Sequence, residues 1–129
     1  MFLNLRILLV EPNCYQALDL LCSFEELCVE VIGPVASAAD GLALVDAGRV
    51  SAAVIDCNLH DPDIGLLARC LRAEGIPFIV QTSDGTLRPI DDIQPAPACV
   101  RKPSRPQAVI AALLAEVQSD RTIQIPVSN

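Results

Sequence analysis

Ala52–Asp56 reads AAVID, four apolar residues ending on a carboxylate, and Ile7–Glu11 reads ILLVE, built the same way. Short, nearly continuous apolar runs are the mark of strands buried on both faces of a parallel sheet. Working outward, the strand candidates are RILLV (Arg6–Val10), CVEVIG (Cys28–Gly33), AAVID, PFIVQT (Pro77–Thr82) and ACVRK (Ala98–Lys102). Helical patterns alternate with them. A first helix runs from about Tyr15 to Leu27. Ser37 with Asp40 three residues on gives an approximate capping box, and Gly48 a stop. Ile64, Leu67, Ala68 and Leu71 share one helical face that Gly75 closes. Ser104 is read as the cap of a last helix, with Pro106 in its first turn and Val109, Ile110, Leu113, Leu114 and Val117 along one stripe.

Between the fourth and fifth strands, TLRPIDDIQPAP holds three prolines, so its helix is expected to be short or irregular and the segment mobile. The alternation predicts an α/β, doubly wound, five-stranded parallel sheet of flavodoxin-like order 2-1-3-4-5. A chain of 129 residues with 52% hydrophobic content is expected to form one domain, over residues 1–119, with a C-terminal tail at 120–129.

Composition removes several functions. A net charge of −7 with nine Lys and Arg and no basic block argues against nucleic acid, as does an aromatic content of 3%. No run approaches the roughly 20 apolar residues of a membrane span. Arg6 breaks the apolar N-terminus and no small-residue cleavage site follows, so a cytoplasmic location is expected. The six cysteines form no CxxC pair and read mostly as small hydrophobes. His60 beside Asp61 and Asp63 is read as a solvated loop rather than a metal site.

Ligands of such sheets bind at the carboxyl ends of the strands, near the switch in strand order. Those ends carry Glu11, Asp56, Thr82 with Ser83, and Lys102: two carboxylates, hydroxyls and an ammonium. The pieces ILLVE, VIDCNL, IPFIVQTSDG and VRKPS make the chain similar to the receiver domains of two-component response regulators (CheY-like) from Arg6 to Val117. The layout particularly resembles stand-alone receivers whose fourth strand reads PFxFATG.

That resemblance implies a phosphoryl acceptor at Asp56, supplied by a sensor histidine kinase or phosphotransfer protein, and signalling through a downstream protein target. Thr82 would donate to a phosphoryl oxygen and Lys102 would place its charge beside the acyl phosphate. Mg²⁺ would be held by Glu11, Asp56 and the backbone carbonyl of Asn58. Pro103 follows a lysine whose peptide bond is cis in many receivers. Association of two copies as a homodimer, through helix 4, strand 5 and helix 5, is a family habit. The chain is not expected to be an enzyme beyond self-catalysed phosphoryl acceptance and loss.

Three places depart from the pattern: Pro12, Cys99, and the stretch QTSDG (Gln81–Gly85), which lacks the aromatic residue of the relatives' ATGYG. Receivers usually carry two adjacent acids after strand 1, and here Pro12 replaces the second, which implies an impaired Mg²⁺ site. Cys99 stands where many receivers have a Tyr or Phe that turns inward, so the loop from Ser83 to Pro97 becomes the expected mover. The alternative function is a pseudo-receiver, an interaction module that takes no phosphate. A haloacid-dehalogenase-type phosphatase is disfavoured, because Asn58 replaces the second Asp its general-acid step requires.

Overall fold

β1 (Arg6–Val10), β3 (Ala52–Asp56) and β4 (Phe78–Thr82) form the centre of a parallel sheet in which almost every residue is buried. The structure is a computed structural model and describes residues 4–57, 60–87 and 90–124. β2 (Glu30–Val35) and β5 (Ala98–Arg101) are the edges, giving the order β2-β1-β3-β4-β5. Four helices complete the described chain: α1 (Cys14–Glu26), α2 (Ala38–Asp46), α3 (Ile64–Ala73) and α4 (Pro106–Gln124). α4 continues five residues past the boundary expected at 119.

Strand alternation divides the core in two. Leu8, Val10, Ile55 and Val80 face α2 and α3, where Val45, Leu67 and Leu71 meet them. Ile7, Leu9, Val54 and Ile79 face the opposite way, against Leu20 and Phe24 of α1 and Val109 and Leu113 of α4. Covering both faces is why these strands read as unbroken apolar runs. The outer side of α1 carries Tyr15, 81% exposed, and Leu18.

The second strand starts later than CVEVIG suggests. Cys28 sits at φ +59° and closes α1: its N–H donates to the Glu25 carbonyl, and the Val29 N–H to that of Phe24. This is a Schellman stop built on a residue other than glycine, so it consumes the first two residues of the expected strand. At the far end β2 continues past Gly33 through a bulge: Leu8 pairs with Ile32, but Val10 pairs with Val35. Gly33 has φ +101°, and a Cβ there would stand 2.8 Å from the Val35 nitrogen. The bulge lets the Glu11 N–H reach the Val35 carbonyl at 2.9 Å.

Among the described residues no α-helix stands between β4 and β5, and the irregular segment expected there is a pair of tight turns. The Ile90 N–H donates to the Leu87 carbonyl and the Ile93 N–H to that of Ile90. Both isoleucines are buried, and Arg72 Nη2 donates to the Pro95 carbonyl at 2.8 Å. The segment expected to be mobile is thus tied to the core. At the last helix, Arg105 rather than Ser104 precedes the first turn, its carbonyl accepting from Ala108 and Val109.

Candidate functional site

Glu11 directly follows β1, Asp56 ends β3, and Lys102 directly follows β5, its N–H continuing the ladder onto the Thr82 carbonyl at 2.8 Å. Three strand ends therefore deliver side chains to one spot. Lys102 Nζ lies 2.7 Å from Glu11 Oε1 and 2.9 Å from Asp56 Oδ1. The side chains are 13%, 1% and 11% exposed, so the ion pairs are nearly dry, with Glu11 sealed and Lys102 and Asp56 keeping only a small exposure. Burial pulls the Lys102 pKa down, but hydrogen bonds and charge from Glu11 and Asp56 outweigh it, and the net direction is up. The ammonium is firmly charged. The Lys102–Pro103 peptide bond is cis.

The turn after β1 is organised by Asn13. Its Oδ1 accepts from the N–H groups of Tyr15 and Gln16, both at 3.0 Å, capping α1. Its own N–H donates to Glu11 Oε2 at 3.1 Å. Glu11 thus has one oxygen on Lys102 and the other on the backbone, which fixes its carboxylate plane. Asn13 followed by Gln16 at the third position is a capping pattern, the sequence signal that could have assigned Asn13 this role.

Thr82 is fully buried at the end of β4, but its hydroxyl turns into the following loop. Oγ1 has two acceptors within reach, the Thr86 carbonyl at 3.0 Å and Asp84 Oδ1 at 3.2 Å, and accepts from the Gly85 N–H at 3.2 Å. Asp84 Oδ1 also receives the Thr86 N–H at 3.0 Å. That backbone bond, then the Thr82 hydroxyl and the charge of Arg101, hold the Asp84 carboxyl below its usual range. The structure brings Glu11, Asp56 and Lys102 together and gives the Thr82 hydroxyl to the turn. The Asp84-Gly85 pair was readable as a turn; its claim on Thr82 was not.

Asn58, expected to offer a carbonyl to Mg²⁺, lies outside the described residues. Cys57 is buried in the core on the side away from Asp56, its thiol pushed up to about 11 by burial and then by the Asp56 charge. Asp61 accepts from the Ala38 N–H at 2.8 Å and the Asp63 N–H at 3.1 Å, which ties the loop before α3 to α2.

No family model and no curated protein matches the chain. Solved structures do. A response regulator receiver protein from Sinorhizobium medicae WSM419 superposes with a TM-score of 0.80 at 19% identity, over 93% of this chain and 99% of that one. A CheY-like receiver domain protein from Methanospirillum hungatei JF-1 gives 0.79 at 21% identity, over 92% and 98%. SdrG from Pseudomonas melonis Fr1, solved in its BeF3-activated conformation, is 30% identical over 87% of this chain and 94% of that one, with a TM-score of 0.68.

The doubly wound sheet and its strand order match the receiver fold. The chain belongs to the CheY-like family of response regulator receiver domains. Its role is accordingly in two-component signalling, where receivers partner with histidine kinases or phosphotransfer proteins and are signalling proteins rather than typical enzymes. Among the described residues no helix is long and apolar enough to cross a membrane.

Receiver domains generally bind Mg²⁺ at the phosphorylation site. The residues here fit that ion poorly. Lys102 Nζ stands between the two carboxylates, and Pro12 offers no side-chain oxygen. Among the described residues no three Asp, Glu, His or Cys side chains converge as a metal site. At ~4 Å and an effective dielectric of ~20, a divalent ion would be repelled by the ammonium and attracted by each carboxylate by roughly 8 kcal/mol, so Lys102 cancels one of the two acids and no third replaces it.

Proposed function

We propose that the chain is a receiver that accepts a phosphoryl group on Asp56 and signals through protein–protein contact, with a weak hold on Mg²⁺ because Pro12 replaces the second acid. The observation that carries the reading is the Lys102 ammonium, 2.9 Å from an Asp56 carboxylate whose side chain is largely buried but not sealed off, at 11% exposure.

In the transfer, the Asp56 oxygen not bonded to Lys102 attacks the phosphorus of a phosphohistidine in line. The P–N bond breaks, its electron pair returns to the imidazole, and an acyl phosphate forms. Such chemistry is mostly positioning and charge neutralisation. Lys102 supplies the charge, and Thr82 would exchange its turn partners for a phosphoryl oxygen. Glu11 and Asp56 are the two carboxylates a Mg²⁺ would have to draw away from the ammonium; Asn58 would add its carbonyl.

A sensor histidine kinase or phosphotransfer protein is the proposed donor. A downstream protein, or a second copy of the chain, would dock on the surface of β5, α4 and the β4–β5 turns. The match to the PFxFATG type rests on Pro77, Phe78 and Thr82, while Val80, Gln81 and Ser83 depart from it.

Labelling with a small phosphodonor, or with beryllofluoride as used on SdrG, tests the reading. Wild type is expected to take up one group and Asp56→Asn none. Equal uptake by both, or none by either, rejects it. The second reading, an interaction module that takes no phosphate, is favoured by the Thr82 hydroxyl being committed to Asp84 and Thr86. Absence of labelling in wild type supports that one.

A further inference from the structure

The residues around Asp56 are arranged to supply a cation from the chain itself. Lys102 Nζ contacts Glu11 Oε1 and Asp56 Oδ1 at 2.7 and 2.9 Å, and Glu11 is buried. Glu11 carries one methylene more than an aspartate would. Its second oxygen is occupied by the Asn13 N–H at 3.1 Å, so both oxygens of the carboxylate already have donors. Pro12 brings no third acid. Two carboxylates and one ammonium leave a single net negative charge, half of what a divalent ion would neutralise.

From this we infer that Lys102 is the permanent counter-ion of the site, held in place by Glu11 as a positioning residue, and that phosphoryl acceptance by Asp56 needs no divalent metal. The inference rests on reading Asp56 as the acceptor. With phosphoramidate as donor, the free Asp56 oxygen bonds to phosphorus, the P–N bond breaks, and nitrogen leaves as ammonia with the electron pair. The ammonium, already beside the acid, meets the charge on the incoming phosphoryl oxygens. No ion has to be recruited first.

The test uses the whole chain, phosphoramidate, and intact-mass detection of the phosphoryl group, in Mg²⁺ or in excess EDTA. Wild type is expected to label at rates that agree within about twofold, because the charge that matters is covalently attached. Pro12→Asp restores a second acid at an exposed position before α1, and its labelling is expected to accelerate with Mg²⁺ only. In parallel, Mn²⁺ is titrated and the free ion followed by electron paramagnetic resonance. Pro12→Asp and Lys102→Met are each expected to bind Mn²⁺ at least about tenfold more tightly than wild type, equivalent to about 1.4 kcal/mol.

Loss of wild-type labelling in EDTA overturns the inference and leaves the acceptor reading intact. Wild type binding Mn²⁺ as tightly as Pro12→Asp overturns it as well. Absence of labelling in every condition removes the acceptor reading and metal-free acceptance with it. The Mn²⁺ titration then still decides whether the ammonium excludes the ion.

Discussion

Lys102 illustrates how one residue's chemistry is set by its partners. Its pKa is raised in the folded chain above the ordinary 10.5: burial acts against the charge, and Glu11 and Asp56 more than compensate. A raised folded-state pKa stabilises the protein fully below the unfolded value, and that contribution is lost as pH climbs through the folded one. Urea denaturation is therefore expected to give a Lys102 contribution that is constant from neutral pH to the edge of the lysine range and declines above it. Lys102→Met leaves two nearly buried carboxylates uncompensated, and about 3–5 kcal/mol of stability is expected to go at pH 7. A loss below about 0.5 kcal/mol, typical of an exposed pair, would contradict the dry geometry. Each member of this cluster was legible as a strand ending. The Glu11–Lys102 pairing was not, because it spans 91 residues and depends on how far a glutamate reaches beside a proline.

At the scale of elements, the β4–β5 connection departs furthest from helix-and-strand regularity. Its prolines were a sound reason to expect no regular helix. They gave no hint that Ile90 and Ile93 would anchor it, because two isoleucines three apart among prolines match neither the helical nor the strand period convincingly. Ile90 is fully buried, so Ile90→Ala is expected to cost 2–5 kcal/mol, roughly as for other core truncations, measured by chemical denaturation. A cost under about 1 kcal/mol would show that the turns move as a free loop. The strands of the sheet centre were readable to within a residue, since burial on both faces leaves no polar alternation to confuse the run. β2 was displaced because Cys28 takes a left-handed conformation that composition assigns to glycine. Ser104 misled in a similar way: a good capping residue lost the position to Arg105 because Pro106, not the residue before it, begins the helix.

For the molecule as a whole, the two-sided core makes Cys57 a reporter of global opening. Burial and the neighbouring Asp56 keep its thiol protonated, whereas Cys14, Cys22, Cys28 and Cys99 are exposed. Iodoacetamide is expected to modify those four in the native state and Cys57 only at the rate set by unfolding, readable by peptide mass mapping across a urea series. Modification of Cys57 as fast as Cys14 would mean that the end of β3 opens locally.

The aromatic inventory has a consequence of its own. The chain has no tryptophan and a single tyrosine, and Tyr15 stands 81% exposed on the outer side of α1. Its ultraviolet emission is a lamp hung outside the house. It is nearly blind to melting of the interior, yet any protein that settles over that helix will dim or shift it, giving a label-free signal of docking.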